Sequence, residues 1–280
     1  MIMPGSSIRS ALEDKGQMSF IGVYDVFSAT VAQRHFDGIF VSGFGFSASH
    51  YGLPDIGFIA WPDIVAFTRR LRTVLPEAHI VVDMDDGYGD PEIAANAALS
   101  LEEAGASAII LEDQQRPRKC GHLSGKTLLD LEVYLEKLKR VLAARNKLFV
   151  VARTDATEPD DMVRRALASA RAGADGVLVD GLENLDVVRS LHDSIDVPIA
   201  FNQIAGGRSP GRSWTELRKA GVSMVIYSTP CLFAAQSAID RSLAALSEAD
   251  GVLPEPGDGH VGLSDCTTLL DQNLDNRYKG

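Results

Sequence analysis

The stretch Ala104-Gly105-Ala106-Ser107-Ala108-Ile109-Ile110-Leu111-Glu112 decides the fold. An amphipathic segment closes on Ala-Gly, and a short apolar run follows without polar interruption until Glu112. Glycine at that point suits a left-handed helix C-cap. An unbroken apolar run of strand length, rather than an alternating one, is the mark of a strand covered on both faces. The same punctuation recurs at Ala172-Gly173 and Ala220-Gly221. Working outward, strand-like runs fall at 19–23, 38–42, 79–83, 107–112, 148–153, 176–180, 198–202 and 223–227. Helical patterns lie between them, at 91–104, 129–144, 160–172 and 185–192 among others. Asp90-Pro91 reads as an N-cap followed by proline at the first helical position. Eight strands alternating with helices predict an α/β protein, a closed (β/α)8 TIM barrel rather than an open doubly wound sheet. No Gly-rich dinucleotide fingerprint follows the first strand.

The bulk properties agree with one large domain. The chain has 280 residues, 45% of them hydrophobic. A formal charge of −11 with no basic block argues against a nucleic-acid partner. No run approaches the roughly 20 apolar residues of a membrane helix, and residues 1–10 have no signal-like apolar core. Cys120, Cys231 and Cys266 are too few and too scattered for a disulfide framework or a zinc site. A reducing, cytoplasmic setting is therefore expected. The barrel is expected over 1–249. From Asp250, Pro254, Pro256 and several glycines break regular structure. The extension 250–280, with an amphipathic turn at 267–274, is expected to pack on its own or a neighbouring subunit.

In parallel α/β proteins chemistry sits at the carboxyl ends of the strands. There the chain places Asp83 and Asp85, Glu112 and Asp113, Arg153 and Asp155, Asp180, Asn202, and Ser42-Gly43 with Asp55 downstream. Several carboxylates converging on one mouth repel unless a cation sits among them. Oxygen ligands without a His/Cys cluster point to Mg²⁺, with Mn²⁺ as the other candidate. Arg153 suits bidentate capture of a substrate carboxylate; its other reading is an internal salt bridge to Asp155 or Glu112. The connection 113–127 is long for a βα loop and carries two arginines, two lysines, Cys120 and His122. Long polar loops at this face often act as lids. The company of Lys119 and His122 suits a reactive thiol at Cys120 better than core packing.

Together, Leu53-Pro54-Asp55, Asp83-x-Asp85-x-Gly87-Tyr88-Gly89, Glu112-Asp113-Gln114, Lys119-Cys120-Gly121-His122 and Arg153-Thr154-Asp155 resemble the isocitrate lyase/phosphoenolpyruvate mutase superfamily. The resemblance runs from about Tyr24 to Ala234. It implies a (β/α)8 barrel whose last helix is exchanged between subunits, giving a dimer or a tetramer. It implies Asp83 as direct Mg²⁺ ligand, with Asp55, Asp85 and Glu112 holding the metal through water. The amides around Ser42, Gly43 and Phe44 would bind a substrate carboxylate, and Tyr24, Arg153 and Asn202 complete the binding set. Cys120 would be the acid of a retro-aldol C–C lyase, with His122 and Lys119 tuning the site or binding a distal carboxylate. The implied substrate is a small anionic 2-hydroxy di- or tricarboxylate. Carboxyphosphonoenolpyruvate mutases carry a similar Cys-Gly-His-Leu segment, so P–C bond chemistry, or hydrolysis or decarboxylation of an oxaloacetate-like acid, is the alternative; a non-catalytic binding barrel is the remote one. The chain departs from the family at Phe40, where many lyases carry tyrosine, and at Asp86, where threonine is usual. Asp86 is expected to add a carboxylate near the metal, and Tyr24, Tyr88 or a metal-linked water to stand in for the missing phenol.

Overall fold

The computed structural model describes residues 6–255 and 261–279; Pro256 lies outside them. Eight parallel strands form a closed barrel: β1 (Met18–Val23), β2 (Gly38–Val41), β3 (His79–Asp83), β4 (Ala108–Glu112), β5 (Phe149–Thr154), β6 (Gly176–Val179), β7 (Ile199–Gln203) and β8 (Val222–Tyr227). Each strand pairs with its sequence neighbour, and β8 returns to β1 through Val225 opposite Ser19 and Tyr227 opposite Ile21. That closure excludes the open sheet. Every predicted strand is present, with ends moved by one residue at most.

The helices are α1 (Ser6–Lys15), α2 (Val26–Gln33), α3 (Gly43–Phe46), α4 (Trp61–Val74), α5 (Pro91–Glu103), α6 (Leu131–Ala144), α7 (Pro159–Arg171), α8 (Asp186–His192), α9 (Trp214–Lys219), α10 (Pro230–Glu248) and α11 (Leu263–Lys279). Asp90 caps α5 by accepting from the Ile93 amide at 2.9 Å, with Pro91 at the first helical position. Sequence reading did not foresee α3 or the π-helical turn Ser47–Tyr51 that follows it.

Alternate residues of each strand face opposite sides. One set, including Ile21, Ile39, Val82, Ile109 and Val150, packs outward against the helices. The other, including Phe20, Phe40, Val81, Ile110, Val151, Leu178, Ala200 and Met224, fills the barrel. Ile8 and Leu12 of α1 join the inner set beside Met18, Ala108 and Phe149, so α1 closes the end where the strands begin. Helix α11 lies against the barrel's own helices: the Asn273 side chain donates to Thr30 Oγ1 at 2.8 Å, and that of Asn276 to the Val74 carbonyl at 3.2 Å. Helix α10 buries none of its 19 residues.

Candidate active site

The strands end in a ring of buried charge. Asp83, Asp85, Glu112, Arg153 and Asp180 are all buried, and Asp55 joins them from the segment after the π-helical turn. Burial raises Asp83 and Asp85 above the ordinary carboxylate range. It also pushes Glu112 up to about 8, against the pull of Arg118 and Arg153. Desolvation of like charges has this effect unless a cation answers it. Two cations of the chain answer it, Arg153 at the end of β5 and Arg118, the latter on the long loop and only 1% exposed. The Arg118 Nε donates to Glu112 Oε1 at 2.7 Å, and its Nη1 pairs with Asp55. The same Nη1 stands 3.2 Å from Asp85 Oδ1, off the line a hydrogen bond needs. Sequence reading counted Arg118 among the loop's charges but gave it no role, because a basic loop residue carries no signal of burial.

The loop 113–127 lies shut over this ring. The Gln114 side chain brackets its turn, donating to the Lys119 carbonyl at 2.7 Å and accepting from the Lys119 amide at 2.9 Å. Gly121 fits so closely into the mouth that an added Cβ would come within 2.0 Å of Asp180 Oδ2, 2.3 Å of Arg153 Nη2 and 2.5 Å of Asp155 Oδ1. Cys120 is buried beside it. Burial first, then the charge on Asp55, pushes its thiol up to about 12, so it stays protonated. His122 accepts from the Arg208 amide at Nδ1 (3.0 Å), and its Nε2 lies 3.4 Å from both Asp180 Oδ1 and Asn202 Nδ2. The ammonium that the loop brings into the mouth is that of Lys126, which reaches Asp155 Oδ1 at 3.1 Å and also donates to the Gly121 carbonyl. Lys119 instead holds its ammonium beside Gly125.

Arg153 donates from Nε and Nη2 to the two oxygens of Asp155, each at 3.0 Å. Its Nη2 also lies 2.9 Å from Asp180 and 3.3 Å from Glu112. The internal salt bridge anticipated as its second reading is therefore present. Burial opposes charge on Asp180, yet Arg153 and His122 hold it well below the usual carboxylate range. Asn202 donates to Asp180 at 3.0 Å and accepts from the Ser228 hydroxyl at 2.7 Å. Ser228 was not singled out in the sequence, since β8 ended there without a charged group. Asp113 ties the strand ends together: it accepts from Thr154 Oγ1 (2.7 Å), the Asp155 amide (3.0 Å) and Arg165 Nη1 (3.1 Å).

On the opposite wall Ser42 caps α3 through the Gly45 amide. A Cβ on Gly43 would stand 2.9 Å from Asp83 Oδ2 and 3.1 Å from Asp85 Oδ1, so bare backbone faces the acidic pair. The Phe44 ring meets Phe233 of α10 edge-on at 6.1 Å. Tyr24 packs by its Cβ near Gly45, its phenol raised by burial and by Asp25. Phe40 lies inside the barrel with Phe20 and Val81.

One expectation needs correction. Asp86 does not add a free carboxylate near the metal position, because Arg116 binds it with two hydrogen bonds of 2.8 Å each. Tyr88 packs its ring against the outer core, and its buried hydroxyl has no hydrogen-bond partner; burial and then the charges of Asp85 and Asp83 raise its phenol well above the ordinary value, so it stands beside the acidic ring.

The donor set fits a hard divalent cation. Both oxygens of Asp85 and Glu112 Oε2 are buried without hydrogen-bond partners. Orphaned anionic oxygens in a native interior call for an ion or water. Among the described residues no three His, Cys, Asp or Glu side chains converge closely enough to ligate an ion directly. One or two direct carboxylates with water in the remaining positions is the habit of Mg²⁺. No helix among the described residues is long and apolar enough to cross a membrane.

Comparison with known proteins places this geometry in a family. A family model described as phosphoenolpyruvate phosphomutase matches residues 8–247. The 2-methylisocitrate lyase of Bacillus subtilis (strain 168) is 34% identical over 251 residues, covering 88% of this chain and 80% of the relative. The crystal structure of 2,3-dimethylmalate lyase, a PEP mutase/isocitrate lyase superfamily member, matches with a TM-score of 0.90 at 28% identity, covering 100% of this chain and 96% of that one. Oxaloacetate acetylhydrolase in complex with 3,3-difluorooxalacetate matches with a TM-score of 0.88 at 28% identity, covering 99% and 97%. The chain belongs to the phosphoenolpyruvate mutase/isocitrate lyase superfamily of enzymes.

Proposed function

We propose that the protein is a divalent-metal-dependent C–C lyase that splits a 2-hydroxy di- or tricarboxylate into an α-keto acid and a second carboxylate, or runs the reverse condensation. The observation that carries this reading is the Cys120 thiol, carried by the shut loop and buried in the field of Asp55, Asp180 and Arg153, where burial keeps it protonated. Asp83 would hold Mg²⁺ or Mn²⁺ directly, and Asp55, Asp85 and Glu112 would do so through water. When bound, the ion supplies Lewis-acid polarisation of the keto acid's oxygens. The Gly43 and Phe44 amides bind the substrate carboxylate, with Tyr24 and Asn202 as hydrogen-bond partners. Arg153 orients the reacting group, and Lys126 adds positive charge beside it. As the C–C bond breaks, its electron pair passes to the departing carboxylate fragment. The substrate hydroxyl gives its proton to water as the loop shuts; Cys120 Sγ gives the departing fragment its proton, and the thiolate takes one back from water when the loop opens. A shut, dry mouth protects the carbanion until Cys120 protonates it.

Incubation with Mg²⁺ and a panel of 2-hydroxy di- and tricarboxylates, 2-methylisocitrate among them, should release an α-keto acid. Cys120→Ser should abolish that release while Mn²⁺ binding persists. Absence of keto acid from every member of the panel overturns the reading. A second reading, hydrolysis of an oxaloacetate-like acid or P–C bond chemistry, draws on the near-equal superposition with oxaloacetate acetylhydrolase. Acetate and oxalate from oxaloacetate, or a new C–P signal in phosphorus NMR, would favour it. We further propose that α10, which is half-buried chiefly over its first turns and exposes Ile239 and Leu243, is exchanged onto a neighbouring copy. Light scattering should then find a dimer or tetramer. Three free thiols suit a reducing, cytoplasmic setting.

A further inference from the structure

The residues that hold the lid's His122 come from a part of the chain that the reaction does not otherwise use. The loop after β7, residues 204–213, passes along the outer side of the imidazole. The Arg208 amide donates to Nδ1 at 3.0 Å. Gly207 comes so close that a Cβ there would stand 2.5 Å from Nδ1 and 3.2 Å from the ring's Cε1. On the inner side Nε2 faces Asp180 Oδ1 and Asn202 Nδ2, both at 3.4 Å. The ring is thus clamped between the mouth and this loop, and its side chain is only 5% exposed. An amide donor at Nδ1 makes that nitrogen the acceptor, which leaves the proton on Nε2, the nitrogen that faces the mouth. The loop after β6 extends the same seat. Gly181 lies 3.3 Å from the Gly121 carbonyl by the same measure, and Arg208 Nη2 pairs with Glu183 at 3.1 Å.

We propose that Gly207 and the Arg208 amide are positioning residues: they seat His122, set its tautomer, and so hold the 113–127 lid shut over the mouth. The assignment rests on reading 113–127 as the lid of the active site. Glycine at 207 is a steric requirement and not a backbone one, because its φ lies outside the left-handed region that disfavours side chains. Alanine there needs no left-handed backbone; it conflicts chiefly with the imidazole and also crowds the Ile204 carbonyl of its own loop at 3.1 Å.

That makes Gly207→Ala a selective probe. Amide hydrogen exchange of the lid reads it without any substrate. In Gly207→Ala, exchange across 119–123 should rise about tenfold, the effect of one lost hydrogen bond. Exchange in β5 should not change. Arg208→Pro deletes the donor and should loosen the lid to a similar degree, whereas Arg208→Ala keeps the amide and should leave the lid near wild type. Gly207→Ala combined with His122→Ala should exchange no faster than His122→Ala alone, because both act on one contact. Wild-type exchange in Gly207→Ala, or additive effects in the double variant, would overturn the proposal. Because the readout needs no turnover, a lid that responds as described in a protein that cleaves no 2-hydroxy acid would discard the lyase assignment and keep the seat.

Discussion

Arg118→Met tests whether the lid is held down by electrostatics. The substitution removes the guanidinium on which Asp55, Asp85 and Glu112 converge and leaves an unbranched apolar stem. Removing one partner of a buried ion pair costs about 3–5 kcal/mol, because the other charge is left unanswered in a dry site. No discount for solvent screening applies, since Arg118 is 1% exposed and the carboxylates no more than 6%. Two outcomes can absorb that cost. If it fell on the whole barrel, the melting temperature would drop by roughly 6–20 °C, at about 2–4 °C per kcal/mol for a chain of this size. Arg118 sits on the lid, however, and the carboxylates sit on the barrel. Opening the lid lets water reach the carboxylates without unfolding any strand. The cost should therefore appear as a shift of roughly two to four orders of magnitude toward the open lid. Trypsin reports this directly through cleavage after Lys119 and Lys126. Lid cleavage should accelerate by at least about a hundredfold, with the melting temperature nearly constant. A large drop in melting temperature with unchanged lid cleavage would refute the reasoning.

Other outcomes follow from the same geometry. Gly121→Ala places a methyl group within 2.0–2.5 Å of Asp180, Arg153 and Asp155, so the lid cannot seat; turnover should fall at least about a hundredfold while Mn²⁺ affinity holds, and normal turnover would show that the mouth yields. Because the Cys120 thiol is pushed up to about 12, iodoacetamide at pH 7–9 should label it far more slowly than an exposed cysteine, and Gly121→Ala should restore labelling; rapid labelling of the wild type would contradict a closed, neutral thiol. Burial, then the charge on Asp155, pushes Asp113 up to about 6 from an unfolded value near 3.8. The folded state therefore binds the extra proton between those values, and this group's contribution makes stability fall as pH rises through that window, by on the order of 3 kcal/mol in total. Asp113→Asn should flatten the melting curve between pH 4 and 6; an unchanged slope would remove Asp113 as its source. Asp86→Thr leaves Arg116 unpaired, and because Arg116 is 42% exposed the loss of lid closure should stay below about 1 kcal/mol by exchange.

The barrel was legible because its strands are buried on both faces, and a doubly covered strand has no polar positions to interrupt the run. The ring of acids was legible for a related reason, since a carboxylate that ends such a run has nowhere to go but the mouth. What the chain did not disclose was pairing across distance. Arg118 and Lys126 look alike as residues of a basic loop, and only the closed loop shows that one neutralises the carboxylates while the other reaches Asp155. Asp86 looked like an excess charge because its partner, Arg116, stands 30 residues away. Phe40 lies with Phe20 and Val81 in the barrel filling, on the same face of its strand as Ser42 and one layer beneath it. The seat at Gly207 and Arg208 lay in a glycine-rich loop whose sequence speaks of turns and says nothing of what it touches.

Helix α1 has a kinetic consequence. With Ile8 and Leu12 driven in among Met18, Phe20 and Phe149, the barrel is corked at its floor. Whatever reacts beneath the lid stands in a chamber with a single door. On the proposed cleavage, two fragments made there would not leave by opposite ends. They would queue, the one nearer the lid going first. Release would then be ordered by depth, with the deeper fragment as the product whose retention slows the next cycle.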